Sequence, residues 1–244
     1  MKICIFISGN VRTLFYKFHE NLLLIKEKVG NCEIDVFYSF WDDYGRSDSI
    51  NDPWHYKADD FVQQVVNHDN IVRYLKGCGG ANNVCGEIEP VEVMQTVLEK
   101  THFKPESNGK NALSSQYYKK HRVVDKFYTD EYDFYIQMRS DISISDFLSK
   151  EDIEKIKDTK TLVVNSYYWY NEKYTGGPCN EMIWCSGKNV FKQSSEMYLN
   201  EKILTEQLPY QYGELVTGTY FNNLVNSGFI DNVMAFNFGY RVIR

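Results

Sequence analysis

The opening run "KICIFISGN" constrains the fold of this chain more than any other feature. Ile3 to Ile7 is apolar without a break, and Ser8-Gly9 ends it abruptly. A strand with one wet face alternates apolar and polar residues; an unbroken run suits a parallel strand covered on both faces. The next segment, "FYKFHENLLLIKEKV", carries Phe15, Phe18, Leu22, Ile25 and Val29 at near-helical spacing and predicts a helix. "NCEIDVFYSFWDD" then predicts a second strand ending in Asp42-Asp43. Strand, helix and strand in that order make a βαβ unit, which is almost always right-handed.

The same alternation continues down the chain. Residues 59–76 predict a helix, with room for a third short strand near Ile71 to Tyr74. "GCGGANNVCGEIEP" reads as a glycine-rich connection; it lacks the GxGxxG and Walker spacings of nucleotide loops. Helices are expected over 90–102, entered by Pro90, and over 111–129. "YDFYIQMRSD" is a strand, "SKEDIEKIKDT" a short charged helix, and "KTLVVNSYYWY" another strand. Met182 to Cys185 predicts a strand and Lys188 starts a helix; a further helix closes at Gly228, and two short extended segments finish the chain. The expected fold class is α/β: one domain, 1–244, with a mostly parallel central sheet flanked by helices and an antiparallel strand or two. The strands at 3–7, 34–40 and 133–138 should be neighbours with their carboxyl ends on one side.

Composition removes several functions. A net charge of −6 argues against a general nucleic-acid binder, which needs a basic face. No apolar stretch reaches the length of a membrane span. The six cysteines form no CxxC pair and fit no zinc site, which points to a reducing, cytoplasmic setting. The five histidines show no HxH or HExxH spacing. The 19 Tyr and 15 Phe suit sugar or nucleobase contacts as well as a core.

Three expected strand ends are polar in a related way: "SGNVR" (Ser8, Gly9, Asn10, Arg12), "WDD" (Trp41, Asp42) and "RSD" (Arg139, Asp141). Ligands of open α/β sheets bind beyond the carboxyl ends of strands. Arginine makes paired charge-assisted bonds to phosphate, and aspartate suits Mg²⁺ or Mn²⁺ bridging a diphosphate. Each residue has a plainer role open to it. Trp41 can be packing, Asp42 can cap a turn, and Arg139 with Asp141 can be a structural ion pair.

The series "ISGNVRT", "DVFYSFWD", "YDFYIQMRSDI" and "EMIWCSG" resembles glycosyltransferases of the GT-A type, in particular small bacterial and viral sugar transferases related to the WavE-like lipopolysaccharide-synthesis group. The resemblance implies a nucleotide-binding part over about 1–145 and an acceptor-side part over about 146–244. It implies Asp141 as a ligand of Mn²⁺ or Mg²⁺, with Arg139 at the first acid position of a DxD motif. "SSQYY" would bring Gln116 to the donor, and Glu181 or Glu214 would serve as catalytic base. The implied reaction moves a sugar from a nucleotide-diphosphate donor to a hydroxyl of a glycan or related acceptor. The alternatives are a non-catalytic nucleotide- or glycan-binding relative and, further off, a sugar nucleotidyltransferase.

Overall fold

The computed structural model describes residues 1–11, 13–42, 66–103, 112–165, 182–208 and 213–243, with only the backbone at positions 112, 113 and 214. The first βαβ unit forms as its pattern dictates. Strand β1 (Lys2–Gly9) pairs in parallel with β2 (Glu33–Trp41), and helix α1 (Leu14–Val29) connects them. Parallel strand β4 (Phe134–Arg139) lies on the other side of β1. The three predicted strands are therefore neighbours, with carboxyl ends together.

The full order is β3 (Asn83–Glu89), β2, β1, β4, β7 (Ile183–Ser186), β6 (Thr161–Asn165), β8 (Asn232–Phe236). Strand β3 lies outside β2 and parallel to it. On the other flank, β7 runs antiparallel to both β4 and β6, and β8 is parallel to β6. A two-stranded ribbon pairs β5 (Ile142–Ser143) with β9 (Arg241–Val242).

Both faces of the sheet are covered, which is why β1 could be apolar throughout. Ile3, Ile5 and Ile7 pack on Phe18, Leu22 and Ile25 of α1, and Ile71 and Leu75 of α2 (His68–Gly77) join that core. Cys4 and Phe6 point the other way, into a core shared with Tyr117, Val123 and Val124 of α4 (Ala112–Phe127). That second layer also holds Phe191 of α6 (Lys188–Ser194) and Val216 and Phe221 of α8 (Gly213–Asn226). Shorter helices α3 (Val91–Glu99), α5 (Lys150–Ile156) and α7 (Glu201–Gln207) fill in the connections. Among the described residues no helix is long and apolar enough to cross a membrane.

Two expectations need correcting. Ile71 to Tyr74 is helix, not strand: the Asn67 side chain accepts the Asn70 N–H at the start of α2, and Ile71 and Leu75 bury one face a turn apart. The third strand lies instead in the supposed glycine-rich connection. Gly86 pairs with Tyr38 in the register, and a Cβ there would sit 2.4 Å from the Tyr38 carbonyl oxygen and 2.5 Å from its ring. The glycine is a close approach inside a strand, a use that resembles a turn when seen in sequence. Helix α7 was not anticipated; of the expected helix over 59–76, residues 59–65 lie outside the described residues.

Candidate functional site

From β1 the chain moves outward to β2 and β3, then returns across β1 to lay down β4. The strand order reverses between β1 and β4, and the carboxyl ends of such a pair splay into a crevice. The pleat determines what enters it. The register pairs Cys4 with Tyr135, Phe6 with Gln137 and Ser8 with Arg139. Cys4 and Tyr135 belong to the α4-side core, so the period of two carries Ser8, Gln137 and Arg139 to that same face. There Gln116 and Lys120 of α4 complete the wall, and Gly9, Asn10, Ser140 and Asp141 complete the mouth.

The loops at the mouth are braced from several directions. The Gln137 amide donates to Ser8 Oγ (3.0 Å), and Ser140 Oγ donates to the Asn10 carbonyl (2.5 Å). Buried Asn21 of α1 donates to the Ile142 carbonyl (2.8 Å) and accepts the Ile144 N–H (2.9 Å). The Ile243 N–H donates to the Asp141 carbonyl (2.8 Å), so the β9 tail holds the turn after β4 from below. Gly9 adopts φ +109°, a conformation that L side chains rarely take, and turns the chain sharply out of the sheet. Helix α1 then begins with no side-chain cap and no acid in its first turn, leaving the positive end of its dipole unopposed by its own residues.

Arg139 and Asp141, one residue apart at the end of β4, pair with each other. Arg139 Nε donates to Asp141 Oδ1 (2.8 Å) and Nη2 donates to Oδ2 (2.6 Å), a two-pronged pair. The Asp141 side chain is only 2% exposed and that of Arg139 13%. Lys120 is as buried as Asp141. Its ammonium lies 5.0 Å from the Trp184 ring centre and 5.1 Å from that of Tyr117, which favour a desolvated cation. Among the described residues, one carboxylate against two cationic side chains puts this lining at +1, in a chain whose net charge is −6.

Gln116 Oε1 is buried at the wall without a hydrogen-bond partner among the described residues. Gln137 Oε1, also on this face, is likewise without one; a buried acceptor left unpaired costs about 1–3 kcal/mol.

Of the predicted residues, Ser8, Gly9, Asn10, Gln116, Arg139 and Asp141 meet at this crevice. Trp41 and Asp42 do not. Trp41 is fully buried, stacked on Tyr118 (5.7 Å, 14°), with the Lys119 ammonium 3.9 Å above its ring, so it cannot stack on a ligand base. Lys119 also donates to the Phe40 carbonyl (2.9 Å) and Glu89 Oε2 (2.6 Å). Burial pulls the Lys119 pKa down, and Glu89 opposes that pull. Asp42 accepts the Val91 N–H (2.7 Å) at the start of α3, a capping role played 49 residues along the chain. Arg12 and Glu181 lie outside the described residues. Glu214 is placed by its backbone in the first turn of α8, where the Tyr117 hydroxyl donates to the Gly213 carbonyl (3.0 Å).

Lys120 and Ser140 were missed. The signal for Lys120 was its register: Tyr117, Lys120 and Val124 share one helical stripe, and a lysine on a buried stripe is rarely decoration.

A divalent cation fits this donor set poorly. Among the described residues no three His, Cys, Asp or Glu side chains gather to hold a metal. The one carboxylate among the described lining residues has both oxygens on Arg139, whereas Mg²⁺ and Mn²⁺ sites are built from oxygens around a negative centre.

No family model matches the chain, and no curated protein matches it in sequence. Among solved structures, it is similar to the galactosyltransferase LgtC in complex with donor and acceptor sugar analogs. Identity there is 12% over 90% of this chain and 70% of that one, with a TM-score of 0.44. An active-site mutant of LgtC gives 12% identity, the same coverage and a TM-score of 0.45.

Proposed function

We propose that the chain is a nucleotide-sugar-dependent glycosyltransferase of the GT-A type, acting on a hydroxyl of a glycan or related acceptor. The observation that carries this reading is the position and charge of the crevice. It lies at the reversal point of an open α/β sheet, and its described lining sums to +1, with the Arg139 guanidinium and the buried Lys120 ammonium in its wall. Such a site suits a diphosphate without a P-loop. The unpaired Gln116 oxygen suits a hydroxyl or ring N–H of the same ligand. The narrower kinship with the WavE-like group rests on the motif series alone.

In the proposed reaction the acceptor oxygen bonds to the anomeric carbon of the donor. The bond from that carbon to the diphosphate oxygen breaks, and its electron pair stays on the diphosphate. The acceptor proton passes to a carboxylate, with Glu181 the first candidate and Glu214 the second. Arg139 orients the departing group through its planar fork, which Asp141 holds in register.

A nucleotide-release assay tests this across UDP-, GDP- and dTDP-sugars with a panel of glycan acceptors. Acceptor-stimulated release of one nucleoside diphosphate is expected. Glu181→Gln or Glu214→Gln should then cut turnover by roughly 10²–10⁴ with donor binding nearly unchanged. Binding of free glycans with no release from any donor would favour the non-catalytic relative instead.

A further inference from the structure

The poor fit of a divalent cation has a consequence for how the donor is held. Resting on the transferase reading, we infer that Lys120 and Arg139 meet the charge of the donor diphosphate themselves, so that donor binding and transfer proceed without a divalent cation. Asp141 is then a positioning residue that holds the Arg139 fork.

Three independent observations converge on this. The first is the charge of the crevice. Among the described residues its charged lining is Lys120, Arg139 and Asp141, which sum to +1. A diphosphate is attracted to such a site directly, while a dication entering alone is repelled and must first displace an arginine from both oxygens of its ligand. The second is the burial of Lys120, at 2% exposure with its ammonium beside two aromatic rings. A fixed cation in a water-poor site interacts with developing negative charge far more strongly than one in bulk water. The third is register: Ser8 pairs with Arg139 across β1 and β4, so the guanidinium lies beside the Ser8-Gly9-Asn10 turn. When the bond from the anomeric carbon to the diphosphate oxygen breaks, the electron pair retained by that oxygen falls between these two cations. The acceptor proton goes to the carboxylate base.

The test is calorimetric titration of the full chain with UDP, GDP and dTDP, each in EDTA and each in Mn²⁺. At least one nucleotide is expected to bind in EDTA with a Kd within about threefold of its value in Mn²⁺. Lys120→Met should weaken that binding about tenfold or more in both buffers, and Lys120→Arg should recover most of it. Asp141→Asn, which raises the local charge to +2, should retain or tighten binding of the same nucleotide in EDTA. A metal ligand at that position would instead show as loss of whatever affinity Mn²⁺ adds. Binding that appears only with Mn²⁺ and disappears in Asp141→Asn overturns the inference and leaves the transferase reading standing. Absence of binding by all three nucleotides in both buffers overturns that reading, and the inference with it. The wild-type comparison of EDTA with Mn²⁺ needs no variant to fold.

Discussion

Asp141→Asn should destabilise the ligand-free protein, because its carboxylate is half of a nearly buried fork. The substitution keeps one oxygen for Arg139 Nε and turns the other into an amide NH₂ facing Nη2, donor against donor. One charge-assisted bond is lost, about 1.5–3 kcal/mol. The remaining guanidinium is 13% exposed, so water replaces little of that bond. The total stays below the roughly 3–5 kcal/mol of stripping a buried charge of its partner, because one prong survives. A loss of about 2–3 kcal/mol in a chain of this size lowers Tm by roughly 5–10 °C. Thermal denaturation followed by circular dichroism at pH 7, without nucleotide or metal, measures it. Asp42→Asn is the control: Asn caps a helix start as well as Asp, so Tm should move little. An Asp141→Asn protein melting within about a degree of wild type would refute the fork as a structural element.

Other expectations follow from buried carboxylates and one glycine. Glu201 is buried, and burial raises its pKa against the bonds from Ser114, Thr101 and the His102 N–H. The folded state therefore holds its proton more tightly than the unfolded one, and stability falls as pH rises above the ordinary carboxylate range. Glu201→Gln should flatten that decline in melting curves from pH 5 to 8; an unchanged slope would count against it. Glu87 behaves with the opposite sign. Burial raises its pKa, but bonds from Lys126, Arg122 and Ser39 outweigh this and bring it down. Its contribution is present above the ordinary carboxylate pKa and lost as pH falls through the lowered value. Glu87→Gln should cost on the order of 1 kcal/mol at pH 7, less in high salt because both cations are partly exposed, and nothing near pH 2. Gly9→Ala has open space for its Cβ, so its cost is backbone strain alone, about 1–3 kcal/mol in urea titration.

The parts of this fold legible in the sequence are those that local pattern controls. β1 announces itself because a strand covered on both faces is apolar throughout, and β2 and β4 because they are apolar over most of their length and run into polar residues at their carboxyl ends. β3 was hidden because Gly86 and its polar neighbours look like a turn until Tyr38 is seen lying against that glycine. Trp41 and Asp42 lie apart from the crevice for a related reason. What covers Trp41 is Lys119 and Tyr118, far along the chain, and what Asp42 caps is a helix starting at Val91. Those partners are chosen by tertiary packing. Lys120 was overlooked because lysines on helices are usually solvated, although its place between Tyr117 and Val124 already marked the buried stripe.

The central claim is that a nucleoside diphosphate lies at the carboxyl ends of β1 and β4. A crystal structure of the protein soaked with the nucleoside diphosphate that binds most tightly, in EDTA, tests it most directly. The account predicts diphosphate oxygens within about 3.2 Å of Lys120 Nζ and an Arg139 nitrogen, with the Gln116 carbonyl accepting a bond from the ligand. A nucleotide found elsewhere on the sheet, or one whose phosphates contact neither cation, would contradict it.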